Sequence, residues 1–430
     1  MRKIVKANDV LVKILLYIHI IMWVLYLPVT QIQLALFGNR IISLFHFGIL
    51  ELIIVVLIFL CNSFRIRINF LTKKSLIMIV FFGIICFLGF ILNPEVDNYW
   101  RMYYLIYWIM PFIVLALASQ KPVEIQRLKS FMICITTIHS ILIISQHFLN
   151  DVIWPYSIDG EGNQIFYISS EYYNTGKYMV RCPGLCISGL EAGVLLIFGI
   201  ILVISISEMK KYLRICLLTL FVIAVFFTGT RNIYLQLIFI VVITIIAKLP
   251  KLSEKNRTRL NIFVTFTSML VYSFMFNNIS VNINGGAATK NILTDTLSAG
   301  IRIQNWINVL KKISEGGIVR IMLGQSVWQS AGFTLLIDNM YLELIVLSGV
   351  IGCVVYLFFL ISVSRYMVKL DNSIVGYIFS AFILSSLVYG VANVLGNSFF
   401  TLIILTIIIC KNGSNFENGS NFEDKKRLKL

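Results

Sequence analysis

Apolar residues come in long, nearly unbroken runs, not in the one-sided stripes or alternation of a soluble fold. A run of about 20 such residues is what a helix needs to cross a hydrocarbon core about 30 Å thick. The pattern predicts about twelve spans: residues 10–29, 41–61, 75–93, 100–118, 130–149, 184–207, 212–230, 232–249, 261–279, 340–363, 373–392 and 397–410. The expected fold is all-α, a single polytopic membrane domain over residues 1–410. Two connections are long, 150–183 and 280–339, and the others are short. Long loops without elements of their own are uncommon unless they have a function. Residues 411–430 are polar and repeat the hexapeptide NGSNFE in tandem, at Asn412–Glu417 and Asn418–Glu423, which predicts a disordered cytoplasmic tail.

Composition strengthens this reading. The chain is 58% hydrophobic and 13% charged, against about 45–50% and about 25% in soluble domains. That excludes a soluble enzyme. The net charge of +16 would suggest nucleic acid in a soluble protein, but its distribution has another meaning. With the N-terminus in the cytoplasm, 26 of the 36 lysines and arginines fall on inner segments and 10 on outer ones. The positive-inside rule then predicts cytoplasmic N- and C-termini and places both long loops outside. The charge reads as topology, and nucleic acid is not expected as a partner.

Motifs of soluble catalysis are missing: there is no P-loop, HExxH, GxSxG or CxxC. The histidines, His19, His46, His139 and His147, are far apart in sequence, so neither a metal nor a cofactor is expected. Glu95 with Asp97 and Asp159 with Glu161 read as solvated loop carboxylates. Cys182 and Cys186 read as buried free thiols. The aromatic run Tyr99–Trp108 reads as an interfacial belt. Glu51 is placed to pair with His19 or Lys13 inside the bundle, in a structural role. Ile303, Trp306, Ile307, Leu310 and Ile313 recur at helical spacing, which predicts an amphipathic helix in the interface or capping the bundle.

Three outer arginines carry more chemistry. Arg181 closes the first long loop, Arg231 sits in a tight hairpin between two apolar runs, and Arg302 opens the amphipathic segment. A charge at the membrane edge is expensive and is usually paired or functional. A guanidinium suits diphosphate, because its planar fork donates two parallel hydrogen bonds. Snorkelling to lipid headgroups is the alternative. Asp338, Asn339, Tyr341 and Glu343 cluster where the second long loop enters a span.

Three blocks then resemble the O-antigen polymerase and ligase superfamily of bacterial envelope proteins. They are RCPGLCISGLEAG at Arg181–Gly193, TGTRNIYL at Thr228–Leu235, and SAGIRIQNW followed by Leu323–Gly324 and DNMYLELIVLSGVIGCVVYL between Ser298 and Leu357. The likeness covers roughly residues 180–360. Ligases of this family typically carry His before the Asn that opens the span after the large loop. Here that position is Asp338, which favours a polymerase. The resemblance implies a metal-independent inverting glycosyltransferase of the cytoplasmic membrane. It would move a growing O-antigen or capsule glycan from undecaprenyl diphosphate onto the terminal sugar of a fresh lipid-linked repeat unit. A chain-length regulator and a flippase are the partners such a reaction implies, besides membrane lipid. Within this reading Arg181, Arg231 and Arg302 hold diphosphate, Asp338 or Glu343 is the base, and Asn339 and Tyr341 support the acceptor. The rival readings are a polysaccharide flippase, an O-antigen ligase, or a lipid-dependent glycosyltransferase that uses a metal through Glu95 and Asp97.

Overall fold

The structure, a computed structural model, describes residues 2–61, 70–92, 125–149, 169–171, 178–180, 182–186, 189–206, 208–247, 307–324, 340–370 and 374–388, with scattered positions from 253 to 267 and Leu405. These residues are helical apart from one short hairpin and the connecting turns. In chain order the elements are α1 (Arg2–Ile20), a π turn (Ile21–Leu25), α2 (Tyr26–Phe37), α3 (Leu44–Cys61), α4 (Phe70–Ile91), α5 (Ile125–Leu149), β1 (Ser169–Glu171), β2 (Tyr178–Val180), α6 (Gly189–Ser205), α7 (Lys211–Phe227), α8 (Arg231–Ala247), α9 (Gly317–Leu323), α10 (Met340–Leu370) and α11 (Ile374–Val388). Residues 307–315 are also helical. Three stretches, Lys6–Phe37, Arg127–Leu149 and Leu344–Val368, are long and apolar enough to cross a membrane. The candidate spans 100–118 and 397–410, and most of 261–279, lie outside the described residues, Leu405 apart.

Several helices are apolar on every face, which water would not tolerate. On α3, Ile54, Val55 and Ile58 are buried while Ile53, Val56 and Leu57 are exposed. On α8, Ile233, Phe239 and Ile240 turn inward while Ile238, Val241 and Ile245 turn outward. An apolar outer face is the surface that lipid wets, and helices are the form that satisfies the backbone there. The exception is α6, buried continuously from Ala192 to Val203, which makes it the central helix. It packs against α5, α7, α8 and α11. The Trp23 ring meets Phe198 of α6 edge-on at 6.0 Å, joining the N-terminal helices to this core.

Each irregularity has a cause in the sequence. Pro28 has no N–H for the carbonyl of Val24, and the π turn lies at that point of the ladder. The run predicted over 10–29 therefore continues through the turn to Phe37. After Gly38 (φ 69°) the chain reverses, and the Gln33 amide clamps the return. Its Oε1 accepts from Ile42 N–H at 2.6 Å and its Nε2 donates to the Ile42 carbonyl at 3.4 Å. Between helices, Gln236 Nε2 donates to Ser385 Oγ at 3.1 Å, and the hydroxyls of Ser364 and Ser380 bond each other.

The second long loop is docked, not loose, along its described residues. Val309 and Ile313 are buried on Val346 of α10, with Ile321 and Ile345 beside them. Ile307 and Leu310, two of the apolar positions that the spacing picks out, are exposed. The helical stretch thus has one apolar side on the bundle and another turned outward. Its docking ends at a break in α10, where Gly349 is non-helical at φ 65°. A Cβ on Gly349 would overlap the Met322 carbonyl, and one on Gly324 would stand 2.5 Å from the Ser348 and Gly349 nitrogens. Gly89 of α4 closes the other side, where a Cβ would come within 2.8 Å of the Leu323 carbonyl oxygen. Three backbones meet where only glycine leaves room.

This junction predicts a graded response to alanine. Gly38 also has a positive φ, but nothing lies within 4 Å of its missing Cβ. Gly38→Ala should cost only the backbone strain, about 1–2 kcal/mol. Gly349→Ala adds a backbone clash, and the thermal midpoint of the purified protein should fall clearly further. Equal midpoints for the two variants would contradict the packing.

Candidate functional site

The TGTR turn is short because its bonds are local. The Thr228 N–H closes α7 on the Ala224 and Val225 carbonyls, both at 3.2 Å, and its hydroxyl donates to Val225 O at 2.8 Å. Gly229 follows at φ 63°, the left-handed residue that ends the helix. The Thr230 carbonyl then accepts from the Ile233 N–H at 3.1 Å, so Arg231 is the first residue of α8. The Tyr234 hydroxyl reaches back across the hairpin to the Phe226 carbonyl at 2.6 Å. Within the block recognised in the sequence, Thr228, Gly229, Thr230, Ile233 and Tyr234 thus have bonding or conformational roles in the turn.

The end of the first long loop is built against this turn. Residues 182–186 are buried although they form no helix. Burying irregular backbone requires partners for its amides, and α5 supplies two. Gln146 Oε1 accepts from Gly184 N–H at 2.9 Å, and its Nε2 donates to Gly184 O at 3.5 Å. His139 Nδ1 accepts from Leu185 N–H at 3.0 Å, while Nε2 faces the Ala192 carbonyl of α6 at 3.3 Å. An imidazole that accepts at Nδ1 and faces a carbonyl at Nε2 carries its proton on Nε2. That ring is neutral and bridges the loop to α6. Gly184 sits at φ 56°, and a Cβ there would stand 2.5 Å from His139 Nδ1. His139 and Gln146, seven residues apart on α5, thus form a polar latch closed on a glycine.

Loop end and hairpin also bond each other directly. The Cys182 N–H donates to the Phe227 carbonyl at 3.3 Å. The ring of Phe227 is stacked on His147 of α5, with centroids 3.9 Å apart and planes at 10°, and Phe148 meets both rings edge-on. Three chain regions, around 147, 182 and 227, converge at one end of the bundle. Cys182 follows Arg181 in the chain, and Phe227 precedes Arg231 by four residues, across the TGT turn.

The remaining expected site residues are placed less fully. Arg181, Arg302, Asp338 and Asn339 lie outside the described residues, as do Glu95, Asp97, Asp159 and Glu161. Tyr341 and Glu343 fall in the first turns of α10, where the backbone is described. Glu191 is half-buried in the first turn of α6. Among the described residues no group of three or more His, Cys, Asp or Glu side chains is placed to hold a metal ion. Cys182 and Cys186 are free thiols and buried, as the sequence suggested. Glu51 pairs with His19, the first of the two partners expected for it. The latch residues His139 and Gln146, and the stacked His147, were not singled out from the sequence. Their one signal is polarity at i and i+7 on an otherwise apolar run.

No family model matches the chain, and no curated protein does either.

The latch can be tested through Cys182, whose thiol burial pushes up to about 12. A thiol so far above neutral carries almost no thiolate, and thiolate is the reactive form. Alkylation at Cys182 should be slow in the native protein. Gln146→Leu leaves the Gly184 amide without its acceptor, at a cost of about 1–3 kcal/mol. Local opening should then speed alkylation roughly tenfold or more, read by mass spectrometry of the Cys182 peptide. Unchanged labelling would remove the latch from the account.

Proposed function

We propose that the chain is a polymerase of surface polysaccharide. It transfers a growing glycan from undecaprenyl diphosphate to the terminal sugar of a new lipid-linked repeat unit, at the outer face of the cytoplasmic membrane. One observation carries the reading furthest. The backbone of Cys182, the residue after Arg181 in the chain, is hydrogen-bonded to the end of the helix that leads into the hairpin carrying Arg231. Diphosphate is the chemical group that a pair of arginine forks recognises.

In this reading the acceptor hydroxyl attacks the anomeric carbon of the growing chain from the face opposite the diphosphate. The new glycosidic bond forms as the bond to the diphosphate oxygen breaks, which inverts the configuration. The leaving oxygen takes up negative charge, and Arg181, Arg231 and Arg302 stabilise it as it develops. The hydroxyl proton passes to Asp338, or to Glu343 one turn deeper, with Asn339 and Tyr341 orienting the acceptor. The energy is already in the diphosphate bond, so neither metal nor nucleotide enters. The docking of residues 307–324 on α10 supports a joint origin for the groups at the start of that helix and those of the second loop. A flippase is the alternative, and the break at Gly349 is the feature that favours it, since transporters use discontinuous helices. Polymer formed by the purified protein in vesicles, with chelator present, would decide for the polymerase. Movement of labelled lipid-linked sugar without polymer would decide for transport.

Two sets of variants test the assignment of roles. Arg231→Ala should lower polymer formation by roughly 30- to 1,000-fold, equivalent to about 2–4 kcal/mol in the transition state. Arg231→Lys should restore only part, because it lacks the fork. Normal polymer ladders from the Ala variants of Arg181, Arg231 and Arg302 alike would sink the diphosphate role.

Asp338→Asn separates a base from a helix cap, since Asn caps as well as Asp does. Loss of polymer with normal protein level is expected. An active Asp338→Asn would pass the base to Glu343.

A further inference from the structure

One buried acid–base contact has no part in the proposed outer-face chemistry. His19 Nδ1 stands 3.2 Å from Glu51 Oε1, and both side chains are closed to solvent. His19 lies well inside the Lys6–Phe37 span, and Glu51 lies in the body of α3. A polar residue can fit a helix into an apolar core by folding back on its own backbone. The hydroxyls of Thr136, Thr137 and Thr244 do this, each donating to the carbonyl four residues earlier. His19 and Glu51 instead join two helices. A buried acid–base pair seldom stabilises a fold more than apolar residues of similar size would, and inside a membrane it marks function by default.

Two further observations point the same way. The π turn begins two residues after His19, and π turns are frequent at functional sites. Pro28 accounts for the broken ladder. Within that turn Trp23 is buried, and its indole N–H finds no acceptor among the described residues. The other charged groups around the pair are few. On α1 Arg2, Lys3, Lys6, Asp9 and Lys13 all lie toward its start, and on α3 His46 is exposed in the first turn. The π turn and α2 carry no charged residue. From α5 and α6, which reach α1 and the π turn through Phe131 and Phe198, come Arg127, Lys129, His139, His147 and Glu191. Of these His139 is already engaged by backbone at both nitrogens.

We infer that His19 and Glu51 form a proton-binding site in the interior of the bundle, holding one proton between them and linking its release to the separation of α1 from α3. With one proton the pair is neutral overall, as an acid beside an imidazole or as carboxylate and imidazolium. Removing that proton, or adding a second, leaves a net charge in a medium that solvates it poorly. Either change therefore requires the α1–α3 seam to open toward water. The inference holds whether the chain polymerises or transports.

The sign of the expected effect follows from proton counts. In the unfolded chain the histidine loses its proton near pH 6.5, leaving none on the two residues above that value. The folded pair keeps one. Folded protein then binds more protons than unfolded, so stability falls as pH rises above about 6.5. The experiment is thermal unfolding of the purified full-length protein across that rise, for wild type and for His19→Leu/Glu51→Leu. The wild-type midpoint should fall, relative to the double variant, by on the order of 1–3 °C per pH unit. Glu51→Gln, close to Glu in shape, gives the same reading if the double variant does not fold. It should lose the same component of the pH dependence. Midpoint curves that run parallel to wild type in whichever variant folds would overturn the inference.

Discussion

An amide buried in hydrocarbon has no water to bond, so every departure from helix inside the bundle must bring its own partners. The other features of this fold follow from that constraint. The chain leaves helical geometry between α2 and α3, before α6 and within α10, and at each place something replaces the lost bonds or fills the space. The Gln33 amide closes the α2–α3 return. His139 and Gln146 receive the amides of residues 184 and 185. At Gly349, Ser348 donates its hydroxyl to the Leu344 carbonyl at 2.8 Å, and the backbone of residues 322–324 packs into the gap.

The same constraint ties loops to function. A loop end held by three buried hydrogen bonds from different elements is as fixed as a helix. Cys182, bonded to the Phe227 carbonyl, is held on the hairpin from the same base. Preorganisation of this kind lets a charged group act on a transition state without first being ordered. The hairpin achieves it with hydroxyls and one tyrosine, so neither turn depends on an ion pair among its described bonds.

Much of the architecture was legible because span length and hydropathy are local properties. The runs at 41–61, 130–149 and 212–230 became α3, α5 and α7 within a few residues. The start of the run at 184 was misread, because 182–186 is apolar for a different reason: it is a latched turn, and α6 begins at Gly189. Periodicity alone cannot distinguish apolar residues buried by a turn from those buried by a helix. The helix at 307–315 was legible as an element, but not which of its apolar residues meet the bundle, since hydropathy cannot tell a side that meets protein from one that meets lipid. The TGTR hairpin and the pairing of Glu51 with His19 were readable, because a charge or a glycine in an apolar run has few solutions. The latch was not, because His139 and Gln146 gain meaning only from a partner 38 or 46 residues away.

The break at Gly349 has one more consequence. An unbroken helix adds its peptide dipoles into a single long dipole with both poles at the membrane surfaces. Interrupting α10 at Gly349 divides it into two shorter dipoles laid end to end. The negative pole of the segment 340–348 and the positive pole of the segment 350–370 then meet inside the protein, where the dielectric is low and screening by salt is absent. Opposite in sign and adjacent, the two poles attract and hold the segments end to end, at a point fixed by three glycines.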